Sequence, residues 1–290
     1  MHKKIYVVLI IMCSAKGFSQ ERNFFNSNYT FVPSRLNQVD FNHLKIQVNI
    51  PVKSKLGMFT NSLTFNHYKF NYDSNLILYT QSIRQLYRIN YGVNYLKDLS
   101  DTWKMGARFV VGTQSNFQSK LSDEDFNLGG GLFFMKQIQK EKSKSQWVFG
   151  INYTNALGEQ RLLPMIGYSK HYSSGSSFAI GFPNTFYKYQ LDKKNSVKIL
   201  AEAQGFYMNI ADNPIIDENT SISKASFLSG LLGLEFNRKI DDNWTVVLKT
   251  SYSFLNEYSV LDLNENEIYD FNLSPVLYIS TGIKFNLLRK

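Results

Sequence analysis

The chain has 290 residues, 43% of them hydrophobic and 15% aromatic, and its formal net charge is +9. The single cysteine, Cys13, lies near the N-terminus, so the rest of the chain can have neither a disulfide framework nor thiol chemistry. After residue 19 no run of about 18 apolar residues occurs, which excludes a transmembrane helix.

The first 19 residues have the pattern of a secretory signal peptide. A basic segment at 1–4 precedes an apolar run at 5–12, and the small residues Gly17 and Ser19 stand just before the expected cut at Gln20. We therefore predict an exported protein with a signal peptide at 1–19 and one mature domain at 20–290. Removal of the three lysines of the signal lowers the net charge from +9 to +6. Nucleic acid is not expected as a partner of an exported chain.

From residue 20 onward, apolar and polar residues alternate in one segment after another. The clearest cases are residues 44–50, 87–95, 103–111, 147–153 and 277–285. Successive side chains of a strand point to opposite faces, so this alternation indicates strands with one apolar and one polar face. No segment of comparable length shows helical periodicity.

The connections between these segments fall into two alternating sets. One set is short and polar, whereas the other is mostly longer and more acidic. Outer-membrane barrels have short periplasmic turns and longer outer loops, so the alternation assigns a side to each connection. The resulting strands are 25–34, 43–52, 57–70, 81–97, 102–115, 125–138, 145–155, 161–172, 174–182, 184–191, 194–210, 222–239, 243–256 and 275–288. If the pair around Pro183 merges or the first strand is lost, the count is twelve.

The hairpin at residues 226–254 shows the pattern most clearly. On its second strand Trp244, Val246 and Leu248 face one way, and the other face is mostly polar. A soluble sandwich would carry dense charge on its polar face, but here that face holds Gly, Ser, Asn and Gln with isolated charges. We therefore predict an all-β fold, an antiparallel up-and-down transmembrane β-barrel of about 14 strands.

The three tryptophans give separate support for this fold. Trp103, Trp147 and Trp244 each lie near the start of a predicted strand, just after a turn of the short class. This places all three at one boundary and on the apolar face. We predict that they form part of an aromatic girdle at the membrane interface.

Several strand-like motifs resemble an uncharacterised outer-membrane β-barrel family of Bacteroidota, the domain of unknown function 6268. They include the segments at 150–154, 163–168 and 177–183, with further similarity at 104–109 and 205–210. More distantly, the chain is similar to other outer-membrane β-barrel proteins. The resemblance implies a barrel in the outer membrane of a Gram-negative bacterium and implies no activity.

The polar faces, projected inward, give a predicted set of charged residues lining the lumen. Arg88 and Arg108 are expected at almost the same height, which would favour an anion unless carboxylates neutralise them. Two readings stay open, an anion-preferring pore and a plugged lumen in which acids and bases pair. The candidates are Arg84, Arg88, Lys104, Arg108, Lys198, Glu202, Glu235, Lys249 and Lys284.

Catalytic and metal sites are not predicted. Face parity separates His43 from His67, and the acidic loop at 262–267 fails the calcium-loop pattern. No Gly-x-Ser-x-Gly elbow accompanies His171. We therefore expect no cofactor and no enzyme activity.

The leading hypothesis is a passive or gated channel for small solutes. A structural or secretion-associated envelope scaffold with a plugged lumen is the alternative, and a lipid-active barrel enzyme is a third. The expected partners are outer-membrane lipid and either a small anionic solute or an envelope protein.

Overall fold

The computed structural model describes residues 23–33, 39–73, 80–211, 214–217 and 220–287. The predicted signal peptide at 1–19 lies outside these residues. The strands are β1 (Asn23–Val32), β2 (Val39–Ser54), β3 (Gly57–Tyr72), β4 (Gln85–Asp98), β5 (Trp103–Ser115), β6 (Phe126–Lys140), β7 (Ser143–Thr154), β8 (Arg161–Tyr172), β9 (Ser177–Gly181), β10 (Asn184–Gln190), β11 (Asn195–Asn209), β12 (Ile215–Asp217), β13 (Thr220–Ser221), β14 (Lys224–Lys239), β15 (Trp244–Leu261), β16 (Glu267–Asp270) and β17 (Leu277–Asn286).

Fourteen of these strands close into a barrel in which each pairs antiparallel with its neighbours along the chain. The short strands β12, β13 and β16 lie in the connections and are not part of the wall. β1 pairs with β2 on one side and with β17 on the other, which closes the ring. The predicted fold and the count of fourteen are confirmed, and the alternative of twelve strands is wrong.

The outward face of the barrel is apolar. Examples with large exposed fractions are Leu132 at 60%, Ile166 at 62% and Phe254 at 58%. Exposed apolar patches of this extent are unusual on soluble monomers and are typical of a surface that faces lipid.

The two ends of the barrel differ in their connections. We call the end with the six short connections, such as β2–β3, the turn end, and the opposite end the loop end.

Within the described residues, no helix has the length and apolar character needed to cross a membrane.

Several predicted strand boundaries are wrong by four residues or more; β2, for example, begins at Val39 and not at residue 43. The strand predicted to begin at residue 81 begins at Gln85, because Gln81–Ile83 form a short 3-10 helix. The loop predicted at 257–272 is partly strand, since β15 continues to Leu261 and pairs with β16. The last two differences lie at the loop end, where a 3-10 helix replaces the predicted start of β4 and β15 is longer than predicted.

A β-bulge in β15 changes which face its last residues occupy. The register with β14 shifts between Gly230 and Leu231, where their partners are Leu255 and Ser253. The extra residue, Phe254, reverses the alternation beyond it. As a result Tyr258 and Val260 are fully buried in the barrel.

Candidate functional site: a lumen closed at the loop end

A cluster of buried apolar side chains fills part of the lumen at the loop end. We call it the aromatic core because its largest members are Phe and Tyr. Its members come from strands β1–β4, β11, β14, β15 and β17 and from adjoining connections. They are Val32, Val39, Phe41, Tyr68, Phe70, Ile83, Leu86, Phe206, Met208, Ile210, Ile222, Ala225, Phe227, Leu231, Tyr258, Val260, Phe271 and Tyr278.

The aromatic core packs across the lumen and not merely along the wall. Phe206 of β11 lies with its ring centroid 4.8 Å from that of Tyr68 on β3. Phe41 of β2 lies 5.4 Å from Phe227 on β14 and 5.8 Å from Tyr278 on β17. Ring centroids at these distances are in direct contact. These rings belong to the wall strands themselves, and connections add Ile83, Ile210, Ile222 and Phe271 to the core.

A buried polar cluster also lies at the loop end. It lies where β5, β7 and β11 converge, and Ser115 forms a parallel bridge with Asn209 there. None of its members is more than 6% exposed. We call it the polar junction, and it consists of Gln114, Ser115, Asn116, Asp125, Asn155 and Asn209.

Hydrogen bonds account for the burial of these polar groups. Asn155 Nδ2 donates to Gln114 Oε1 at 2.7 Å, which joins the end of β7 to β5. Asn209 Nδ2 donates to Asp125 Oδ1 at 2.8 Å, and the Ala211 amide donates to Asn116 Oδ1 at 3.0 Å. Buried polar groups with partners rigidify a structure, whereas unpaired ones are costly. The junction therefore holds three strands of the wall together.

Asp125 makes the polar junction sensitive to pH. Burial by itself raises the pKa of Asp125, but the hydrogen bonds from Asn209 and Ser122 outweigh it and hold this pKa below its ordinary value of 3.8. A carboxylate with a lowered pKa stabilises the folded protein above its ordinary value, and that stabilisation is lost as pH falls below 3.8.

We expect Asp125→Asn to remove this pH-dependent contribution. The measurement is the melting temperature between neutral and strongly acidic pH. The wild-type protein should lose stability more steeply than the variant on acidification. Asp123→Asn, at an exposed position of the same 3-10 helix, is the matched control and should keep the wild-type slope. An unchanged slope in Asp125→Asn would contradict the assignment.

Charged residues line the lumen nearer the turn end, and several of them pair. Glu235 of β14 lies between two lysines, with Lys198 Nζ at 3.3 Å and Lys284 Nζ at 3.2 Å. Lys284 is on β17, two strands away, so this contact crosses the concave face of the sheet. Lys249 and Glu202 form a second ion pair across β14. These contacts place all five side chains in the lumen.

Arg88 is buried in the lumen at 8% exposure but pairs with neither predicted acid. Its guanidinium donates to Gly205 O at 3.1 Å and to the Tyr68 hydroxyl at 3.3 Å. Gly205 is on β11, so Arg88 links two sides of the barrel.

The expected equal height of Arg88 and Arg108 is wrong. The register pairs Arg88 with Gln114 and Arg108 with Asn94. The β4–β5 turn is centred near residue 101 and not near the expected 99, and the two arginines are six residues apart along the strands. Arg108 is exposed and has no ion pair within the described residues.

Two other predicted lumen residues lie at the ends of the barrel. Lys104 pairs with Asp98 at the turn end, where that carboxylate is 65% exposed. Arg84 follows the 3-10 helix at the loop end and is exposed, so its predicted position on a lumen-facing strand is wrong.

The three tryptophans lie on the outward face at the turn end. Trp103, Trp147 and Trp244 have similar exposed fractions, 37–39%. Trp103 and Trp147 both pair in register with Lys136, one from each side. Their role in a membrane-interface girdle stays a prediction.

The histidines do not converge on a metal site. His43 stacks on Tyr68 and bonds Asn66 in the lumen, whereas His67 stacks on Tyr87. Among the described residues, no group of three or more His, Cys, Asp or Glu is arranged to hold a metal ion.

Sequence reasoning missed the aromatic core and the polar junction. A signal for the core is present on β11, where Phe206 and Met208 continue the polar face of Glu202 and Gln204. Near the loop end, therefore, both faces of that strand become apolar. The polar junction has no comparable signal, because its members are far apart in sequence.

A family profile described as "Domain of unknown function (DUF6268)" matches residues 32–286, which is most of the chain. The chain belongs to this family. The resemblance inferred from the motifs of several strands is thus correct as to the family. A comparison with curated protein sequences finds none that matches this DUF6268 chain.

Among solved structures, the DUF6268 chain is similar to several outer-membrane barrels at low identity. The NanC porin is 9% identical with a TM-score of 0.42, covering 91% of this chain and 100% of the porin. Outer membrane phospholipase A from Escherichia coli is 12% identical with a TM-score of 0.35, covering 97% of each chain. The translocator domain of the autotransporter NalP from Neisseria meningitidis is 9% identical with a TM-score of 0.36, covering 98% and 96%. TM-scores this low support no argument about function.

Proposed function

We propose that this DUF6268 protein is an integral protein of the outer membrane of a Gram-negative bacterium. The apolar outward face of the closed barrel supports this location, with lipid as its surrounding partner. By the usual arrangement of outer-membrane barrels, the loop end faces the outside of the cell and the turn end faces the periplasm. Export by a signal peptide at 1–19 and origin in Bacteroidota belong to the same proposal.

Within that location, the geometry favours a closed envelope scaffold over a passive channel. The single observation that supports this is the packing at the loop end, where rings of the aromatic core from opposite sides of the barrel are in contact. Opening an axial path would require buried aromatic rings of the wall strands to leave their contacts. Each Phe-to-Ala truncation in a packed core costs about 3–5 kcal/mol, so spontaneous opening of several rings is rare. The protein would then act as an anchor for an envelope partner, without catalysing a reaction.

One observation favours a second candidate, a gated channel that prefers anions. Arg108 is exposed in the lumen and has no ion pair within the described residues. A free arginine in a water-filled lumen attracts anions. This candidate requires the loop end to open, whereas the scaffold does not.

Conductance in planar bilayers tests the choice. We expect the purified, folded protein to give no steady conductance, because the described residues of the aromatic core and the polar junction are packed at the loop end. A stable co-purifying envelope protein after gentle extraction is expected as well. Steady ion conductance with anion selectivity that is lost in Arg108→Gln would overturn the scaffold and support the gated channel.

A further inference from the structure

The barrel wall has a gap beside strands β9 and β10. β8 pairs with β9 only from Gly167 to His171, so within the described part of the chain its residues 161–166 have no strand partner on that side. On the other side, the β10–β11 ladder ends at the pair Asn184 and Glu202, although β11 continues to Asn209. The β9–β10 hairpin therefore ends about six residues before the strands that flank it.

The length of the hairpin shows that the gap lies within the membrane. β9 has five residues and β10 has seven. At about 3.3 Å per residue these strands rise only about 17 and 23 Å along their own axes. Strands tilt in a barrel, so they cannot cover an apolar band about 25 Å tall. Above the hairpin, β8 still presents apolar residues outward, including Leu162 at 61% exposure.

The gap has defined borders. The backbone amide of Ala203 donates to Pro183 O at 2.9 Å, which ties the tip of the hairpin to β11. Towards the loop end, the β7–β8 loop lies beside Gly205 of β11, and Ser226 Oγ of β14 donates to Gly158 O at 2.7 Å. The gap is therefore narrow beside β11 and widest beside β8. The opening thus lies between the hairpin tip and this loop, and we call it the lateral window.

The lumen beside the window is free of the aromatic core, since no member of that core comes from β6–β10. Instead, a cavity of about 230 Å³ lies there. Its lining includes Val148, Met165 and Ala179 together with the hairpin tip at Phe182 and Pro183.

The register places Val148, Met165 and Ala179 on the lumen face. Ala179 pairs with Phe186 and Phe186 pairs with Leu200, so these three side chains lie on one face of the sheet. Leu200 is two residues from Lys198, whose side chain lies in the lumen, so this face is the lumen face. The hairpin tip, by contrast, presents Phe182 to the outside at 53% exposure. The lining therefore runs from the lumen to the lipid-facing surface.

We propose that the lateral window admits a single acyl chain from the membrane into this cavity. Its surroundings are hydrocarbon, its lining is mostly apolar, and the path along the barrel axis towards the loop end is closed. Small-molecule sites usually measure about 300–1,000 Å³, so this cavity takes part of a chain and not a whole lipid. The chain can belong to a glycerophospholipid or to a free fatty acid. This site does not depend on whether the protein acts as a scaffold.

Photo-crosslinking in vesicles tests the proposal. The protein is inserted into phosphatidylcholine vesicles that contain phosphatidylcholine with a diazirine near the end of one acyl chain, or palmitic acid with the same group. We expect the lipid probe to label lumen-face residues, Met165 above all, as well as outward residues such as Phe149. Labelling by the lipid probe shows that a membrane-bound chain enters, and labelling by palmitic acid alone assigns the site to free fatty acid.

Gly167→Leu supplies the blocking variant. A Cβ on Gly167 meets only Ile180 O, at 3.7 Å, so its first side-chain atom causes no clash, and Gly167 lines the cavity that the leucine is meant to block. Labelling of Met165 should be lost in this variant while labelling of Phe149 remains. Gly92→Leu, on the lumen face of β4 with its nearest atom at 3.6 Å, is the matched control and should keep both.

Two results would overturn the lateral window. One is labelling confined to outward residues with both probes, and the other is labelling of Met165 that survives Gly167→Leu. Absence of labelling at Phe149 has a separate meaning, because it would overturn the membrane location itself.

Discussion

Phe206→Ala is expected to lower the free energy of unfolding by about 3–5 kcal/mol, the range for truncating a fully buried Phe. Phe206 has no exposed surface, and its ring lies 4.8 Å from that of Tyr68 and 5.4 Å from that of Phe227. Removing it leaves a cavity at the centre of the aromatic core, between strands from opposite sides of the barrel. Urea unfolding of the protein in lipid vesicles, followed by tryptophan fluorescence, measures the loss.

The matched control is Phe149→Ala. Phe149 is also an aromatic residue of a wall strand, but it faces outward and is 41% exposed. Lipid replaces most of the contacts that its ring loses, so the effect should be much smaller. Equal losses for the two variants would show that the aromatic core is loosely packed, which would contradict a closed loop end.

Glu235→Gln is expected to destabilise the barrel by about 3–5 kcal/mol, because it breaks a buried ion network by removing one partner. The Glu235 side chain is 10% exposed and lies between Lys198 and Lys284, which are 19% and 22% exposed. Glutamine keeps the shape but not the charge, so two lysines remain close together in the lumen without a counter-ion. Urea unfolding in vesicles again supplies the measurement.

Asp98→Asn supplies the comparison for a solvated pair. The Asp98 side chain is 65% exposed at the turn end, where it pairs with Lys104. Exposed ion pairs contribute about 0–1 kcal/mol, so this variant should unfold almost like the wild type. If Glu235→Gln is equally mild, water screens the lumen network, and the lysines are available to an anionic solute.

The two large effects concern different parts of one lumen. The aromatic core is packed at the loop end, whereas the Glu235 network is buried in the lumen towards the turn end. A scaffold needs the aromatic core and tolerates changes in the Glu235 network. A gated channel needs the Glu235 network to remain charged and the aromatic core to open. Comparing Phe206→Ala with Glu235→Gln in the conductance measurement therefore separates the two functions.

Alternation along each segment was enough to predict the wall of the barrel. A strand that separates lipid from a lumen must present two chemically different faces, and this requirement is written locally in each segment. The hairpin at 226–254 was predicted with the turn at 240–243, and the structure has β14 and β15 on either side of it. The count of fourteen strands followed from the same local signal.

Only the tertiary structure decided what fills the lumen. The bulge at Phe254 reverses the faces of the last residues of β15, and the sequence pattern does not reveal a single inserted residue. Lys284 reaches Glu235 across an intervening strand, and Asn155 reaches Gln114 from two strands away, so neither partner follows from spacing along the chain. Closure of the barrel brings these residues together. The sequence therefore determined a barrel whose strands have one apolar and one polar face. The packed loop end and the gap beside the β9–β10 hairpin emerged only when fourteen strands were placed around one axis.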